Sequence, residues 1–590
     1  MDPTLEQRLI RFLDREDIGQ QRSEDDLRAL TIDERVLEGE CIRGARLVRF
    51  GADGFEFAVT ENLSKFRAGD LLAIGDGVDL SKTVPGVHDG YDAATGILRV
   101  ARDRGRGGLL RLEAGVDYCV DRRSFGSSGR LHDTVRAAFA DERLAALLHG
   151  EVRPAFDAAR TERARAALLA RGLGPSQVEA GASVVGAESL CLVQGPPGTG
   201  KTRLLAEVVV LLARAGCRIA LSAFTHKAVD NALAAIRALD ATLPLVKLGT
   251  AGRADAELEA IGVRFVQPRR ADLPRAGVVV AGTCYAFAKL DDGERFHLTV
   301  VDEAGQMPIP HALVAMRLAS RVALFGDHRQ LPPVVTERHD DEAAARSIFE
   351  HLHELYGSHL LDVTYRMNDP ICATISELFY GGRLHPEPSV GARRAPFVPG
   401  GRFDWWLDPE RPLAMALVDH VQSGPRSPQE ATFVADLVDE AVRRHDIDPA
   451  QICVVAPFRA QVRAIRDALT KRGLGAADGL TVDTVERIQG QQREMVVLSM
   501  AMGDAEALRN RAAFFFSPQR LNVALSRART KAVVVASPRI FRALPLDPAA
   551  LRAAALFRRL ERLVPKLAAA TVASRERAVT PRVHRAARKA

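Results

Sequence analysis

The residues best suited to chemistry form a glycine-rich loop that a lysine and a threonine close: Gly195, Pro196, Pro197, Gly198, Thr199, Gly200, Lys201 and Thr202. Glycine lets backbone N–H groups turn inward around phosphate oxygens, at dihedral angles that a side chain would oppose. Lys201 supplies a positive charge for the β- and γ-phosphates, and Thr202 supplies a hydroxyl for Mg²⁺. The loop therefore predicts that the chain binds ATP with Mg²⁺.

The segments on either side of this loop agree with that prediction. Residues 190–193 are apolar and predict a short buried strand, and residues 203–215 predict a packed helix. A strand, a glycine-rich loop and a helix form the context that a phosphate-binding loop requires. A glycine- and proline-rich turn that fits the pattern by chance is the disfavoured alternative.

A pair of carboxylates follows Lys201 by about a hundred residues. The apolar run 298–301 predicts a strand, and Asp302 and Glu303 come directly after it. Asp302 would hold Mg²⁺, and Glu303 would polarise the water that attacks the γ-phosphate. Phosphoryl transfer needs mainly correct placement and neutralised charge, so these few groups suffice.

A third segment, 324–333, predicts a strand followed by a polar turn. Gln330 lies in that turn and could bridge the γ-phosphate to the rest of the molecule. Taken alone, the segment fits a proline-stiffened loop equally well.

Together these segments resemble a known family. Asp-Glu-Ala-x-Gln at 302–306, followed by Gly-Asp-x-x-Gln-Leu at 326–331, resembles superfamily 1 helicases. The closer resemblance is to superfamily 1B, the branch that includes the nonsense-mediated-decay RNA helicase and its bacterial relatives. It extends over about 173–537, where eight motifs occur in the family's order.

The resemblance implies roles for residues on both sides of the nucleotide. Gln177 would read the adenine edge, Tyr365 would stack on the base and Arg366 would reach the γ-phosphate. Arg527, in the segment 520–529, would be an arginine finger that neutralises charge in the transition state. The implied catalytic set is Lys201, Glu303, Gln330, Arg366 and Arg527.

Two positions depart from the family pattern. Thr364 stands before Tyr365 where the family has Gln. Gln492 stands where the family commonly has Glu, an acid that contributes to nucleotide and coupling contacts. Gln492 is predicted to contact the nucleotide, and the departure puts the strength of coupling in question.

The resemblance also implies contacts to nucleic acid. The segments 222–231, 281–283, 456–461 and 485–492 are similar to motifs Ia, Ic, IV and V. Such contacts would rely on the nucleic-acid backbone and on stacking rather than on base readout. The candidate residues are Thr225, His226, Thr283, Pro457 and Thr484.

Apolar segments alternate with helical patterns from about residue 175, which predicts parallel sheets. The predicted buried strands, besides 190–193, are 219–223, 277–281, 298–301, 323–325, 452–456, 495–500 and 532–536. They form two blocks that divide near 335, and residues 383–427, rich in Pro, Gly and Arg, predict a long surface excursion. The expected fold class is α/β, with two tandem RecA-like parallel-sheet domains.

The N-terminal third differs in pattern. Residues 4–38 predict a charged amphipathic helix, and residues 131–171 predict helix. Between them, the alternating runs of about 45–120 predict a small β-barrel or sandwich. This region resembles the family's accessory domain 1B. The expected division is a helical segment 1–44, an accessory barrel 45–122, a helical stalk 123–172, a first RecA-like domain 173–335, a second 336–545, and a helix with a basic tail 546–590.

The composition argues against a membrane protein, a secreted protein and a protein with cysteine-based sites. The chain has 590 residues, 47% of them hydrophobic, without an apolar run of membrane-spanning length or a signal-peptide pattern. We expect a soluble, cytoplasmic monomer with no membrane partner. The seven cysteines contain no C-x-x-C pair, which argues against disulfides, zinc and iron–sulfur clusters. Most of the net charge of +6 lies in the tail 571–590, which we expect to be disordered.

The sequence therefore predicts an ATP- and Mg²⁺-dependent 5′→3′ helicase or translocase that acts on single-stranded DNA or RNA and on tailed duplexes. An ATPase that moves along a strand or remodels complexes without unwinding remains an alternative. So does a non-enzymatic nucleic-acid-binding protein, although the intact Lys201, Glu303, Arg366 and Arg527 argue against it. Trp405 and Trp406 fit either a base-stacking pair or, more simply, a local packing cluster.

Overall fold

The computed structural model describes residues 3–51, 54–62, 64–66, 69–80, 82–92, 95–102, 111–123, 128–249, 255–268, 272–290, 295–337, 339, 341–420, 423–475 and 478–569. The predicted basic tail, 571–590, lies outside the described residues. Among the helices described, none combines the length and the apolar character needed to span a bilayer. All seven cysteines are free thiols.

Two helices open the chain, α1 (Leu5–Ala29) and α2 (Ile32–Leu37). Each begins with a capping box, in which a threonine and the side chain three residues later satisfy one another's backbone N–H groups. The apolar face of α1 places Phe12 and Leu13 in the core beneath the first parallel sheet. The amphipathic pattern of 4–38 thus predicted the helices correctly.

A closed antiparallel barrel follows, in the strand order β1-β2-β5-β4-β3-β6. Its strands are β1 (Cys41–Phe50), β2 (Gly54–Ala58), β3 (Leu71–Gly75), β4 (Val84–Asp92), β5 (Ile97–Arg102) and β6 (Asp117–Arg122). Alternate apolar side chains fill the interior, including Leu47, Phe57 and Leu98. Period-two patterning and closure leave no open edge, and the predicted accessory barrel is confirmed.

Helices then connect the barrel to the first sheet. They are α3 (Ser128–Ala140), α4 (Glu142–His149), α5 (Ala158–Ala170) and α6 (Pro175–Gly186). Leu131 and Val135 of α3 share a core with Leu9 of α1. This helical layer joins the N-terminal region to the first block by apolar packing.

The first parallel sheet has the strand order β10-β9-β11-β8-β12-β13-β7-β14. Its elements are β7 (Leu190–Gln194), α7 (Lys201–Arg214), β8 (Arg218–Ala223), α8 (His226–Leu239), β9 (Leu245–Leu248), α9 (Ala256–Ala260), β10 (Arg264–Val266), β11 (Val278–Thr283), α10 (Cys284–Phe287), β12 (Leu298–Asp302), α11 (Ile309–Met316), β13 (Val322–Gly326), α12 (Ile348–Tyr356) and β14 (His359–Leu360). The central strands are buried on both faces, as a parallel sheet covered by helices requires.

The first sheet extends beyond residue 335, where the sequence pattern placed the division between the blocks. β14 pairs with β7 in parallel, with His359 opposite Val193. Phe349 of α12 belongs to the same core as β13. A strand of two residues is too short to show a hydrophobic period, so the continuation of this block could not be predicted from the sequence.

The second parallel sheet has the order β19-β18-β20-β21-β17-β22. Its block contains β15 (Val363–Thr364), α13 (Asp369–Phe379), β16 (His385–Pro386), α14 (Pro388–Gly391), α15 (Asp404–Leu407), β17 (Leu413–Leu417), α16 (Pro428–Arg443), β18 (Ile452–Ala456), α17 (Arg459–Thr470), β19 (Thr481–Thr484), β20 (Arg493–Ser499), α18 (Ala505–Asn510), α19 (Ala512–Phe515), α20 (Pro518–Leu525), β21 (Ala528–Ala536), α21 (Pro548–Leu563) and β22 (Lys566–Ala568). Two tandem parallel sheets confirm the predicted fold class.

The prediction of a surface excursion over 383–427 is wrong for its central part. β17 lies inside the sheet between β21 and β22. Trp406 is fully buried, and its indole N–H donates to the Met415 carbonyl at 3.2 Å. The tryptophan pair is therefore a packing cluster, and the many Pro and Gly residues around it form the turns that bring a short strand into the core.

Candidate functional site

The phosphate-binding loop connects β7 to α7 and needs glycine at two positions. Gly198 and Gly200 have φ of 77° and 76°, in the left-handed region that other residues rarely adopt. A Cβ atom on Gly198 would lie 2.6 Å from the Thr364 hydroxyl oxygen. The backbone of the loop is therefore available to surround phosphate groups, and Thr364 of the second block packs against Gly198.

Lys201 and the two carboxylates meet as the sequence predicted. The Lys201 ammonium donates to Asp302 Oδ1 at 2.7 Å and to Glu303 Oε1 at 2.8 Å. Burial acts to lower the pKa of Lys201, but the two carboxylates outweigh it and raise that pKa above its usual value. The charged lysine holds both acids beside the loop that would carry the phosphates.

Glu303 has an unusual backbone. Its φ of 53° places a non-glycine residue in the left-handed region, a conformation that costs energy and is concentrated at functional sites. Although burial opposes it, the Lys201 charge holds the pKa of Glu303 below its usual value. Gln306 Nε2 donates to Glu303 Oε2 at 3.0 Å. The carboxylate is thus ionised and oriented, as a group that polarises water must be.

Thr202 and Asp302 are the residues predicted to hold a metal ion. Thr202 follows Lys201 in the first turn of α7, and Asp302 ends β12 and contacts Lys201. A hydroxyl and a carboxylate are hard oxygen ligands, which suit Mg²⁺. The side-chain chemistry at this corner of the site fits that ion.

Arg366 and Arg527 of the second block face the loop from across the interface. Arg366 Nη1 donates to the Ser526 carbonyl at 3.0 Å, and its Nε donates to Gln492 Oε1 at 3.1 Å. Arg527 is 3% exposed and donates from Nη1 to the Gln491 carbonyl at 3.3 Å. Their partners are neutral oxygens.

These two guanidinium groups, one buried on Arg527 and one half-buried on Arg366, form a centre of positive charge. Burial, reinforced by the neighbouring arginine charges, lowers the pKa of Arg366 to about 9. Burial lowers the pKa of Arg527 to about 10, against the attraction of Glu303. Within the described residues, no carboxylate lies in salt-bridge distance of either group. Two adjacent cations at an interface, each without a carboxylate partner, indicate an anion-binding site, and polyphosphate is the anion that the glycine-rich loop selects.

Gln330 connects the two blocks. Its Nε2 donates to Asp327 Oδ2 at 2.8 Å, and its Oε1 accepts from Arg527 Nη2 at 3.4 Å. The bridging position predicted for this side chain agrees with these contacts.

A buried polar network that the sequence did not indicate supports this bridge. The Tyr380 hydroxyl of the second block donates to Asp327 Oδ2 at 2.7 Å, and Asn522 Nδ2 donates to that hydroxyl at 2.9 Å. Asn522 Nδ2 also donates to the Arg329 carbonyl at 2.8 Å. Asn522 lies inside the recognised segment 520–529, whereas Tyr380 lies in no recognised motif.

The residues predicted to bind the base lie together at one end of the loop. Thr364 Oγ1 donates to the Pro197 carbonyl at 2.8 Å, and the Tyr365 N–H donates to the Gly198 carbonyl at 2.8 Å. Tyr365 remains 40% exposed. The threonine that replaces the family's glutamine is thus a direct contact to the phosphate-binding loop.

Gln177 reaches the same end of the loop, but protein groups engage its amide. Its Oε1 accepts from the Gly174 N–H at 3.0 Å, and its Nε2 donates to the Thr199 carbonyl at 2.8 Å. The side chain is only 3% exposed. In this arrangement Gln177 shapes the loop, and contact with a base would require it to exchange these bonds.

The residues predicted to touch nucleic acid lie at the carboxyl ends of the strands, in one group per sheet. In the first sheet, Thr283 ends β11 opposite Ala223, the last residue of β8, and Thr225 and His226 follow β8 at the start of α8. In the second, Thr484 ends β19 opposite Ala456, and Pro457 follows. Ligands of open parallel sheets bind at this edge. The barrel also reaches it, since a Cβ atom on Gly69 would lie 3.9 Å from the His226 ring.

One other cluster has metal-ligand side chains, namely Asp404, Glu440 and His445. Its geometry favours a packing role. The Val398 N–H donates to His445 Nδ1 at 2.9 Å, so the proton of the neutral imidazole lies on Nε2, the atom that faces the carboxylates. A protonated nitrogen cannot ligate a metal. The carboxylates themselves accept backbone N–H groups of residues 400–403 and fix that turn.

Comparison with known proteins agrees with this geometry. Two family models, each described as an AAA domain, match residues 172–387 and 344–539. The mouse DNA replication ATP-dependent helicase/nuclease DNA2 is 27% identical over 407 residues, covering 62% of this chain and 37% of that protein. The ATP-dependent helicase NAM7 of Saccharomyces cerevisiae is 28% identical over 402 residues, covering 59% of this chain and 40% of that protein.

The chain thus spans well under half the length of these relatives. A crystal structure of an arterivirus nonstructural protein 10 helicase aligns over 86% of this chain and 80% of that chain, with 14% identity and a TM-score of 0.36. The assignment of the fold rests on the strand orders given above and not on this similarity. The two AAA-domain matches together cover residues 172–539, and these matches and the ATP-dependent helicases among the relatives support the resemblance of the ordered motifs to superfamily 1B.

Proposed function

We propose that this protein is an ATP- and Mg²⁺-dependent motor that moves 5′→3′ along single-stranded DNA or RNA and unwinds tailed duplexes. The observation that carries the proposal is the pair of guanidinium groups of the buried Arg527 and the half-buried Arg366, which face Lys201 and Glu303 across the interface between the sheets. The catalytic groups are divided between two blocks, so a bound nucleotide would bridge them.

The division explains how hydrolysis would become movement. ATP would be held by Lys201 and the loop on one side and by the two arginines on the other, drawing the blocks together. Loss of the γ-phosphate would remove the charge that holds the arginines and let the blocks separate. Thr202 and Asp302 would hold the Mg²⁺ that neutralises the phosphates. Repeated closure across a strand that contacts both sheet edges yields stepping.

The units proposed to move are the block that carries β7 to β14 and the block that carries β15 to β22. The accessory barrel would lie against the duplex junction, since Gly69 of the barrel approaches His226 at the first sheet edge. An ATPase that translocates without separating strands would have the same two blocks, so the barrel is the feature that distinguishes the two functions.

ATP hydrolysis should be measured with matched single-stranded DNA and RNA, and unwinding with duplexes that carry either a 5′ or a 3′ tail. We expect stimulation by single strands and opening of the 5′-tailed duplex alone, with Glu303→Gln as the inactive control. Opening of only the 3′-tailed duplex would refute the polarity. Stimulated hydrolysis with no unwinding on either substrate would favour the translocase, and binding without hydrolysis would favour the non-enzymatic alternative.

A further inference from the structure

A run of three phenylalanines in the second block has one member at the surface. Phe515 and Phe516 are 3% and 0% exposed and belong to the core of that block, whereas Phe514 is 38% exposed. A partly exposed aromatic ring beside a well-packed core can be held rigidly and still present apolar surface to a ligand.

Two neighbours fix the ring of Phe514. Its centroid lies 5.5 Å from that of Phe458, with 27° between the ring planes. The Arg520 guanidinium carbon lies 3.9 Å from the Phe514 centroid, within the range of a cation–π contact. Arg520 is itself anchored, because its Nε donates to Glu486 Oε1 at 2.8 Å and its Nη1 donates to the Phe514 carbonyl at 3.1 Å. We call Phe514 and Arg520 the aromatic platform.

The platform lies at the sheet edge that the proposed function assigns to nucleic acid. Phe458 follows Pro457 directly after β18, and Glu486 comes two residues after Thr484, the end of β19. Ala456 and Thr484 are paired across these strands. The platform therefore contacts the segments after both strands.

Two arginines lie against the rings, and Arg520 is also paired with Glu486. Besides Arg520, the Arg511 guanidinium carbon lies 5.9 Å from the Phe458 centroid. A planar apolar surface between cationic groups complements a single nucleic-acid strand, which alternates flat bases with anionic phosphates.

The same helix connects the platform with the phosphate-binding arginine. Arg520 lies near the start of α20, and Arg527 comes two residues after its end. At about 1.5 Å per residue, the seven steps from Arg520 to Arg527 span about 10 Å. A displacement of α20 on nucleotide binding would thus move both groups together.

We propose that Phe514 and Arg520 form a stacking site for one base of the bound single strand. The inference rests on the proposed function and adds a base contact in the second block. Phe514 holds the Arg520 guanidinium flat over its ring, and the outer plane of that guanidinium, together with the exposed part of the ring, receives the base. The site takes any base, because every base has a π-face.

The test compares two strands of equal length, oligodeoxythymidine and a strand made entirely of abasic residues. Affinities are measured by fluorescence anisotropy at one salt concentration for wild type, Phe514→Leu and Phe514→Trp. Leucine keeps the apolar packing but removes the π-face, whereas tryptophan keeps an aromatic π-face. Phe156→Leu is the matched control, since Phe156 is 42% exposed and pairs with Ala187, which precedes β7 at the opposite sheet edge.

We expect Phe514→Leu to weaken binding of the base-containing strand at least about five-fold, the lower range for loss of one stacked base, and to leave abasic binding unchanged. Phe514→Trp and Phe156→Leu should bind like wild type. Equal affinity of wild type and Phe514→Leu for the base-containing strand would overturn the site, as would an equal loss on both strands. A wild-type protein that binds neither strand would instead contradict the proposed function.

Discussion

Arg527 Nη2 lies 3.4 Å from Gln330 Oε1, which places the guanidinium of the second block at the polar turn of the first. The contact crosses the interface where the γ-phosphate would lie, close to the carboxylate of Glu303. Gln330 is in turn held by Asp327, and Asp327 by the Tyr380 hydroxyl of the second block. These contacts align the catalytic groups of the two blocks with one another.

Replacing Arg527 by alanine should slow turnover strongly. The charge that develops on the phosphoryl group would lose its partner, and we expect a loss on the order of 10³-fold in kcat, the lower end for an arginine finger. ATP affinity should change much less, because the loop and Lys201 remain. Steady-state hydrolysis and nucleotide-binding titrations separate the two effects.

Arg529→Ala is the matched control for that experiment. Arg529 is paired with Glu494 at 2.7 Å, so its charge is already neutralised outside the site. We expect near-normal turnover. A collapse of ATP affinity in Arg527→Ala without a separate effect on turnover would make Arg527 a ground-state contact, and Arg529 would become the better candidate for the finger.

Glu303→Gln should abolish hydrolysis and preserve ATP binding. The amide keeps the size of the side chain but cannot polarise water as a carboxylate does. Lys201→Ala should weaken nucleotide binding as well, because Lys201 would contact the phosphates directly. Radiolabelled ATP binding and phosphate release distinguish these outcomes, and near-normal release by Glu303→Gln would remove that residue from the mechanism.

Much of this site could be predicted because its signals are local. The glycine-rich loop, the acid pair after β12 and the arginines of 366 and 527 each lie in a short segment whose residue types need one another. The buried parallel strands were equally visible, since each is a continuous apolar run between turns. The residue types within each of these segments are enough to indicate its role, without information from the rest of the chain.

Contacts made across long sequence separations could not be predicted in this way. The Tyr380 hydroxyl donates to Asp327, which lies 53 residues earlier in the chain. Nothing in the sequence around either residue indicates that the other is its partner. β17 was missed because five apolar residues among many Pro and Gly residues resemble a loop until β21 and β22 enclose them. The platform of Phe514 was missed because a run of three phenylalanines does not show which ring remains at the surface.

Lys531 should make the second block more stable as the pH rises above neutral. It is fully buried on β21 and donates to the carbonyls of Asp408 and Arg411 at 2.9 and 2.6 Å. Burial, against the attraction of Asp408, lowers the pKa of Lys531 to about 7, whereas an unfolded lysine titrates near 10.4. Between these values the unfolded chain binds more protons, so the free energy of unfolding increases with pH by up to about 1.4 kcal/mol per unit.

Denaturant unfolding of wild type and Lys531→Met between pH 7 and pH 9.5 measures this slope. Methionine fills the same volume without a titrating group. We expect the stability of wild type, relative to the variant, to rise across this range and to level off below pH 7. Parallel curves for the two proteins would show that Lys531 does not titrate between the folded and unfolded states.

Glu16 of α1 should stabilise the loop that follows Gln330. Its carboxylate accepts the Thr336 N–H at 2.8 Å, the Thr336 hydroxyl at 2.9 Å and, if protonated there, His339 Nε2 at 2.6 Å. Phe12, one turn earlier, stacks on the His339 ring at 4.4 Å. The N-terminal helix thus holds the chain directly after the turn that contacts Arg527.

We expect Glu16→Ala to lower the free energy of unfolding by about 0.5–1.5 kcal/mol, because the exposed Thr336 donors and the buried His339 ring lose a charged acceptor. It should also reduce nucleic-acid-stimulated turnover by much less than Arg527→Ala, since Gln330 keeps its bond to Asp327. Gln21→Ala, at an exposed position of the same helix, is the control and should change neither quantity. Thermal unfolding and hydrolysis assays on the three proteins check this. An unchanged melting temperature in Glu16→Ala would mean that solvent replaces the carboxylate without loss. The helix would then hold the loop through Phe12 and the ion pairs of Arg8 with Asp341 and of Arg22 with Glu337.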